Sequence, residues 1–164
     1  MRILSWNCRG LGKSSAVLQV QKIAHDFNPD VLFLMETRLA SNKGKDIWNR
    51  CGFFDGCEVP RLGLGGGLIL AWMQRSFLRV VYESPHLIHI DVTGNKGKPL
   101  SITFVYGHPK LAKRNEVWQQ LKTLKDIAQP SWLCIGDFTK CSQERKSSLL
   151  TKTPLLVLSY FSKC

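Results

Sequence analysis

Four polar residues directly follow predicted strands, and their side chains suit chemistry on a phosphate. Asn7 follows ILSW, Glu36 follows VLFLM, Tyr106 follows ITFV and Asp137 follows WLCIG. Proteins hold Mg²⁺ with one or two carboxylates, completed by water and phosphate oxygens, so Glu36 and Asp137 are candidate ligands. Such a cation polarises a phosphoryl oxygen. The Asn7 amide can orient a carboxylate or a phosphate, and the Tyr106 hydroxyl can donate to a phosphate oxygen.

Each of these residues also has a plain structural interpretation. A carboxylate at a strand end is often a turn or cap residue, and a strand tyrosine often only exposes its hydroxyl to solvent. His108 is a candidate general base, although a histidine in a loop more often has no catalytic role. The glycine-rich segment at 63–67 (GLGGG) lacks the Lys-Ser/Thr of a P-loop and predicts tight backbone turns instead.

The amino-terminal elements that must position these residues read as a β-α-β unit. Met1–Cys8 is a predicted strand, and Ser14 or Ser15 is a candidate helix cap. Apolar residues then recur at helical period from Ala16 to Phe27. Val31–Met35 is a continuous apolar run, typical of a strand that is covered on both faces.

Short strands and tight turns follow, a pattern that predicts antiparallel pairing. The predicted strands are Leu68–Trp72, Phe77–Tyr82, Leu87–Thr93 and Leu100–Val105, with a turn at Gly94–Lys98. Alternation places Leu87, His89 and Asp91 on one face of their strand, opposite Ile88, Ile90 and Val92.

A second βαβ pattern follows this meander. A helix with a buried stripe ends at Pro130 and leads into a strand at Trp132–Ile135; the stripe consists of Val117, Trp118, Leu121, Leu124 and Ala128. Two βαβ ends around a meander predict an α/β protein with two packed sheets and helices outside.

The composition favours an intracellular protein with a polyanionic partner. Lys and Arg total 23 against 12 Asp and Glu, a net charge of +11, which favours DNA, RNA or an anionic surface but also fits a solvated basic face. The sequence has no secretory signal and no apolar run of the roughly 18 residues that a membrane span needs. We therefore expect neither secretion nor a membrane partner, and no obligate protein partner.

The six cysteines lack metal-ligand spacing and are expected to be free thiols.

Five motifs in order resemble the endonuclease/exonuclease/phosphatase superfamily. They are ILSWNCRGLG, FLMETRL, GGLILAW, FVYGHP with KR shortly after, and WLCIGDF, over residues 1–146. The sequence is most similar to the endonuclease domain of plant LINE-type (non-LTR) retrotransposon polyproteins. The resemblance implies a four-layer sandwich of two mixed, mainly antiparallel sheets between helices. It also implies Mg²⁺- or Mn²⁺-assisted hydrolysis of DNA, with a nuclear location.

The resemblance also implies a role for each candidate residue. Asn7 and Glu36 would form the metal site, with Glu36 the direct ligand. Tyr106 would lie beside the phosphate, and Asp137 would orient or activate the attacking water. Arg9, His108 and Thr139 are further candidates for contact with the substrate phosphate.

Two departures from the family pattern predict weak activity. Thr139 stands where the family has asparagine, and a threonine hydroxyl reaches less far than an amide. The family also has a late Asp-His pair, whereas the four histidines of this chain all precede Asp137. We expect an incomplete second sheet and a divergent segment at 147–164, which is either a final strand or a poorly integrated tail.

Four hypotheses compete on these grounds. The first is a DNA endonuclease domain, truncated after the site described and with little or no activity. The second is a non-catalytic remnant that binds nucleic acid through its basic surface. The third is a phosphatase of the same superfamily, because the superfamily includes lipid phosphatases and the positive charge also suits phosphorylated lipids. The fourth is a remnant that folds poorly and has no function.

Overall fold

The fold is known from a computed structural model, which describes residues 1–74, 77–93, 99–108, 110–138 and 156–160. Three helices occur in these residues, α1 (Ser14–Phe27), α2 (Gly44–Arg50) and α3 (Arg114–Leu124), with a 3₁₀ turn at Leu111–Lys113. The strands there are β1 (Arg2–Asn7), β2 (Val31–Met35), β3 (Asp55–Val59), β4 (Leu68–Trp72), β5 (Leu78–Ser84), β6 (Leu87–Val92), β7 (Leu100–Tyr106), β8 (Ser131–Asp137) and β9 (Leu156–Tyr160).

The strands of the described residues form two mixed sheets. The first has the order β3-β4-β2-β1-β9, and the second has the order β5-β6-β7-β8. In the first sheet β1 is parallel to both β2 and β9, while β4 is antiparallel to both of its neighbours. In the second sheet the meander β5-β6-β7 is antiparallel, and β8 adds parallel to β7. The parallel pairs β1-β2 and β7-β8 come from the two predicted βαβ units.

The two sheets pack face to face around the main core. Apolar residues of β1, β2 and β4 meet apolar residues of β6, β7 and β8 there, and the ring centroids of Phe33 and Phe104 lie 5.0 Å apart in this interface. Helices α1 and α2 cover the outer face of the first sheet, and α3 covers that of the second. The predicted four-layer sandwich is confirmed, and it explains why every residue of β2 is buried.

The boundaries of the helices differ in detail from the predictions. Lys13 is the cap residue of α1 and Ser14 is already helical, so neither predicted serine caps the helix. Helix α3 ends at Leu124 rather than at Pro130. Trp118, predicted to be buried, is 38% exposed because it stacks on Phe138, with ring centroids 6.2 Å apart, instead of entering the core.

Two elements in the middle of the chain were not predicted. Helix α2 has only seven residues, too few for its apolar period to stand out. Strand β3 (DGCEV) has few of the β-branched and aromatic residues that mark a strand. Its pairing with β4 supplies the stability that its own residues do not.

The carboxyl-terminal segment contributes a strand to the first sheet. Strand β9 pairs in parallel with β1, from Arg2 opposite Leu156 to Trp6 opposite Tyr160. Of the two alternatives for this segment, a final strand or a poorly integrated tail, the pairing agrees with the first. The predicted turn at Gly94–Lys98 and the predicted boundary at residue 146 lie outside the described residues.

Two further features bear on expectations from composition. The cysteines of the described part, Cys8, Cys51, Cys57 and Cys134, are free thiols. None of the helices in that part of the chain has the length and apolar character that a membrane span requires.

Candidate active site

Asn7 and Glu36 lie side by side at one edge of the first sheet. Strands β1 and β2 run parallel in a register that pairs Asn7 with Met35, so Glu36 follows directly beside Asn7. The Cys8 amide extends the pairing by donating to the Met35 carbonyl at 3.0 Å. Burial raises the pKa of the Cys8 thiol to about 12, so this thiol stays neutral and donates to the same carbonyl at 3.2 Å.

The backbone at this edge is strained. Glu36 has a φ of 55°, and Arg9 and Arg38 have φ values of 52° and 54°, a region that non-glycine residues rarely occupy. Hydrogen bonds hold the segment in place: the Thr37 amide donates to Gly67, and the Leu11 amide donates to Thr37. Such strain costs about 1–3 kcal/mol per residue and gathers at functional sites. The strain therefore marks the surroundings of Glu36 as a candidate site.

Tyr106 connects the second sheet to Glu36. It ends β7, is only 5% exposed, and donates its hydroxyl proton to Glu36 Oε1 at 2.7 Å. Burial raises the pKa of Tyr106, and so do this hydrogen bond and the negative charges of Glu36 and Asp137. The hydroxyl therefore remains a donor at neutral pH, and Tyr106 is unsuited to act as a base.

Asp137 lies next to Tyr106 on the second sheet. The parallel register of β7 and β8 pairs these two residues directly, and the Gly107 amide donates to the Asp137 carbonyl at 2.9 Å. The Asp137 residue is only 9% exposed. Strand ends from both sheets thus bring Asn7, Glu36, Tyr106 and Asp137 to one edge of the sandwich.

The donor set at this edge fits a hard cation better than a transition metal. Within the described ranges, no group of three or more His, Cys, Asp or Glu side chains could hold an ion. Glu36 supplies a carboxylate that accepts a hydrogen bond from Tyr106 through one oxygen, and Asn7 supplies an amide on the neighbouring strand. One or two carboxylates completed by water and phosphate oxygens are the ligands that Mg²⁺ takes, so Glu36 and Asn7 fit Mg²⁺.

The weaker candidates lie around this edge. Arg9 is exposed, and its backbone amide donates to Asn7 Oδ1 at 3.3 Å. His108 follows Tyr106 by two residues, and its Nδ1 accepts a hydrogen bond from the Lys110 amide at 3.0 Å. The same residue's carbonyl accepts from Arg114 Nε at 3.1 Å. Thr139 lies outside the described residues.

His86, to which the sequence assigns no role because no carboxylate adjoins it in the chain, also lies next to the site. Its Nδ1 donates to the Tyr106 carbonyl at 3.1 Å, and its ring centroid lies 4.8 Å from that of His108. Burial is the main cause of its lowered pKa. No metal-binding or catalytic motif in the sequence draws attention to it. The strand register of the meander could have identified His86, since pairing Leu87 with Val105 places His86 beside Tyr106.

Comparison with known sequences gives one family. The sequence profile described as "Endonuclease/Exonuclease/phosphatase family" matches residues 4–138, which include Asn7, Glu36, Tyr106 and Asp137. Comparison with curated proteins gives no match.

Solved structures of the same fold include two AP endonucleases. The Archaeoglobus fulgidus AP endonuclease has a TM-score of 0.62 at 17% identity, over 82% of this chain and 56% of its own. The Leishmania major AP endonuclease LMAP has a TM-score of 0.62 at 14% identity, over 81% of this chain and 53% of its own. A variant of the Neisseria 3′ phosphatase NExo, solved with a product DNA hairpin, has a TM-score of 0.56 at 17% identity, over 82% and 56%. The chain thus spans about half the length of each of these structures.

Proposed function

The chain belongs to the endonuclease/exonuclease/phosphatase family, and we propose that it is a DNA-endonuclease-type phosphodiesterase domain with impaired catalysis. In this proposal Glu36 and Asn7 bind Mg²⁺ or Mn²⁺, and the neighbouring basic surface binds DNA. The motif resemblance supports an origin in a plant non-LTR retrotransposon.

The hydrogen bond between Tyr106 and Glu36 carries this proposal. It spans the two sheets at 2.7 Å and joins residues that stand 70 positions apart in the sequence. A buried tyrosine that donates to a carboxylate fixes the orientation of that carboxylate, as hydrogen-bond partners of metal ligands do. A turn or cap residue at a strand end would need no such partner on the opposite sheet.

Each side chain has a definite part in phosphodiester hydrolysis. A cation held by Glu36 and Asn7 would supply polarisation of the phosphate oxygens. The Tyr106 hydroxyl keeps the Glu36 carboxylate in position and stays protonated. The Asp137 carboxylate accepts a proton from the attacking water, as a general base positioned at the strand end. Arg9 and Arg38, both exposed beside this edge, bind the flanking phosphates.

The impairment follows from two residue choices. Thr139 stands where the family resemblance implies asparagine, and loss of one donor to a transition-state oxygen costs about 10²–10³ in rate. The resemblance also implies a late Asp-His pair, and the four histidines of these 164 residues all precede Asp137. This chemistry favours metal and DNA binding over efficient cleavage, which is also the behaviour of a non-catalytic binding remnant.

The test combines metal titration with plasmid nicking. We expect Mn²⁺ binding, followed by electron paramagnetic resonance, to weaken by at least about 10-fold in Glu36→Gln. The exposed Glu83 on β5 provides the matched control, since Glu83→Gln makes the same charge change away from the site. Nicking of supercoiled plasmid in Mg²⁺ or Mn²⁺ should be at background for the wild type.

Each outcome has a clear meaning. Equal Mn²⁺ affinity in the wild type and Glu36→Gln would refute the metal site. Nicking that disappears in Glu36→Gln but persists in Glu83→Gln would refute the impairment. Because the chain departs from the family pattern both at Thr139 and at the late Asp-His pair, Thr139→Asn alone should not restore nicking. Release of phosphate from a phosphorylated lipid headgroup, without DNA binding, would favour the phosphatase alternative.

A further inference from the structure

A glycine-rich loop is attached to the residues that follow Glu36. We name residues 61–67 the leucine loop. The Arg61 amide donates to the Leu39 carbonyl at 3.0 Å, the Arg38 amide donates to Gly66 at 2.9 Å and the Thr37 amide donates to Gly67 at 3.0 Å. A Cβ on Gly67 would lie 2.5 Å from Thr37 Oγ1, so the glycine permits this close approach. The loop therefore has a fixed base beside the candidate active site.

The tip of the leucine loop presents two apolar side chains to solvent. Leu62 is 68% exposed and Leu64 is 88% exposed. An isolated bridge joins Leu62 to Gly65, and Gly63 has a φ of 63°, so the tip is a tight turn. Leucines this exposed gain little from burial in the folded protein. Their placement therefore points to a partner that covers them.

Positive charges accompany the two leucines. Arg61 begins the leucine loop, and Arg38 lies on the segment that holds it; both are exposed. A Cβ on Gly10 would lie 3.5 Å from Arg38 Cδ, so the Arg38 stem reaches the turn that also contains Arg9. Leucine is among the apolar side chains that DNA-binding proteins insert between base steps, and arginines are common contacts to the flanking phosphates.

We propose that the leucine loop is a wedge that inserts Leu62 and Leu64 between base steps of duplex DNA. This inference rests on the proposed function, because it assumes that DNA lies along the Glu36 edge. The insertion unstacks and partly unwinds the duplex next to Glu36 and Tyr106. Unwinding changes how the phosphates face this edge, so the leucine loop determines which phosphodiester meets the metal site.

The test measures DNA unwinding without relying on cleavage or on sequence preference. Closed circular plasmid is relaxed by a metal-independent type I topoisomerase in EDTA, with and without the full chain, and the topoisomers are separated after removal of protein. We expect the wild type to shift the topoisomer distribution. The double variant Leu62→Ser/Leu64→Ser should lose this shift. Leu18→Ser is the matched control, because Leu18 is an equally apolar side chain, 58% exposed on α1.

Duplex binding by fluorescence anisotropy separates the two proposals. Absence of binding by the wild type would contradict the proposed DNA function itself. Binding without a topoisomer shift, or an equal shift in the double variant, would overturn the wedge alone. Binding of anionic phospholipid vesicles that requires Leu62 and Leu64, with the topoisomer shift unchanged by their loss, would also overturn it. The substituted side chains are exposed, so the thermal unfolding midpoint should be the same in all variants.

Discussion

At the scale of single residues, Tyr106 is the side chain whose chemistry depends most on its surroundings. Its hydroxyl donates to Glu36 Oε1 at 2.7 Å. Burial and the nearby carboxylates raise its pKa, so removal of its proton is disfavoured at any physiological pH. In the proposed function, the tyrosine therefore serves to hold Glu36 in position.

Tyr106→Phe removes this hydrogen bond and leaves the ring. We expect Mn²⁺ affinity to fall by about 10-fold, because partners of a metal-binding carboxylate typically contribute about 10- to 100-fold. The free energy of unfolding should fall by only about 1 kcal/mol, the net value of one hydrogen bond. Tyr82→Phe on β5 is the control for removal of a tyrosine hydroxyl. Unchanged Mn²⁺ affinity in Tyr106→Phe would contradict the positioning role.

At the scale of elements, the close approach of β7 and β8 places Tyr106 beside Asp137. Gly136 precedes Asp137 with a φ of 142°, and a Cβ there would lie 1.9 Å from the Val105 carbonyl oxygen. Only glycine allows the two strands to pair at this point. The glycine of the GDF motif therefore has a packing function that is separate from the chemistry of Asp137.

Gly136→Ala should destabilise the fold by at least about 3 kcal/mol, because it adds backbone strain to a clash with a paired strand. Gly12→Ala is the control, since a Cβ on Gly12 meets no atom within 4 Å. Urea unfolding followed by circular dichroism measures both. A loss below about 1 kcal/mol in Gly136→Ala would show that β8 can move away from β7.

The outer face of the second sheet carries a buried polar network. His89 is fully buried, and a hydrogen bond of 2.7 Å joins its Nδ1 to Thr103 Oγ1, which also accepts from Trp132 Nε1 at 2.8 Å. Asp91 on the same strand accepts from Ser101 at 2.7 Å and from Arg79 at 2.8 Å. The alternation of β6 predicted that His89 and Asp91 share a face, and the structure confirms it.

This network predicts acid sensitivity. Burial lowers the pKa of His89, an effect that the nearby Asp91 only partly offsets. The unfolded chain, with a histidine pKa of about 6.5, then takes up a proton that the folded chain does not. The contribution of neutral His89 to the free energy of unfolding is therefore fully present above about pH 6.5. It is lost as the pH falls below that value.

His89→Gln should flatten the fall in the free energy of unfolding between about pH 6.5 and pH 5, because glutamine does not titrate. Some pH dependence should remain, since His86 has a lowered pKa as well. His25→Gln is the control, because the His25 side chain is 90% exposed. Urea unfolding at several pH values provides the measurement, and an unchanged slope in His89→Gln would refute the assignment.

At the scale of the whole molecule, part of the net positive charge of +11 lies next to the candidate active site. Arg9, Arg38 and Arg61 are exposed on the segments that adjoin Asn7 and Glu36. Phosphate contacts dominate the affinity of most DNA-binding proteins and make it depend on salt. These three arginines are therefore the charges that we expect to contact DNA.

Replacement of all three arginines by alanine should reduce the salt dependence of duplex binding. Each phosphate contact contributes about 0.9 to the slope of log K against log salt, so the slope should fall by about 2.7. The control replaces Lys22, Lys122 and Lys125, which are exposed on or next to the outer helices, with the same change in net charge. Equal slopes for the two triple variants would show that only net charge matters.

The sequence by itself determined the layers and supplied Asn7, Glu36, Tyr106 and Asp137 as candidate site residues. The continuous apolar run of β2 and the alternation of β6 are local periodicities, and each strand end carries its polar residue directly after it. Such patterns are readable from the sequence alone. A strand that is buried on both faces is apolar throughout, whereas a strand that is buried on one face alternates between apolar and polar residues. The four-layer sandwich and the grouping of Asn7, Glu36, Tyr106 and Asp137 followed from them, together with the family resemblance of the motifs.

Only the tertiary structure decided which side chains touch. The hydrogen bond from Tyr106 to Glu36 joins residues that are 70 positions apart in the sequence. His86 contacts Tyr106 because of the register between two strands. The segment after Glu36 holds the leucine loop through backbone hydrogen bonds. Helix α2 and strand β3 likewise depend on their neighbours more than on their own propensities. The physical reason is that contacts between distant segments depend on how sheets pack and strands align, which is a property of the assembled chain and not of any single stretch of it.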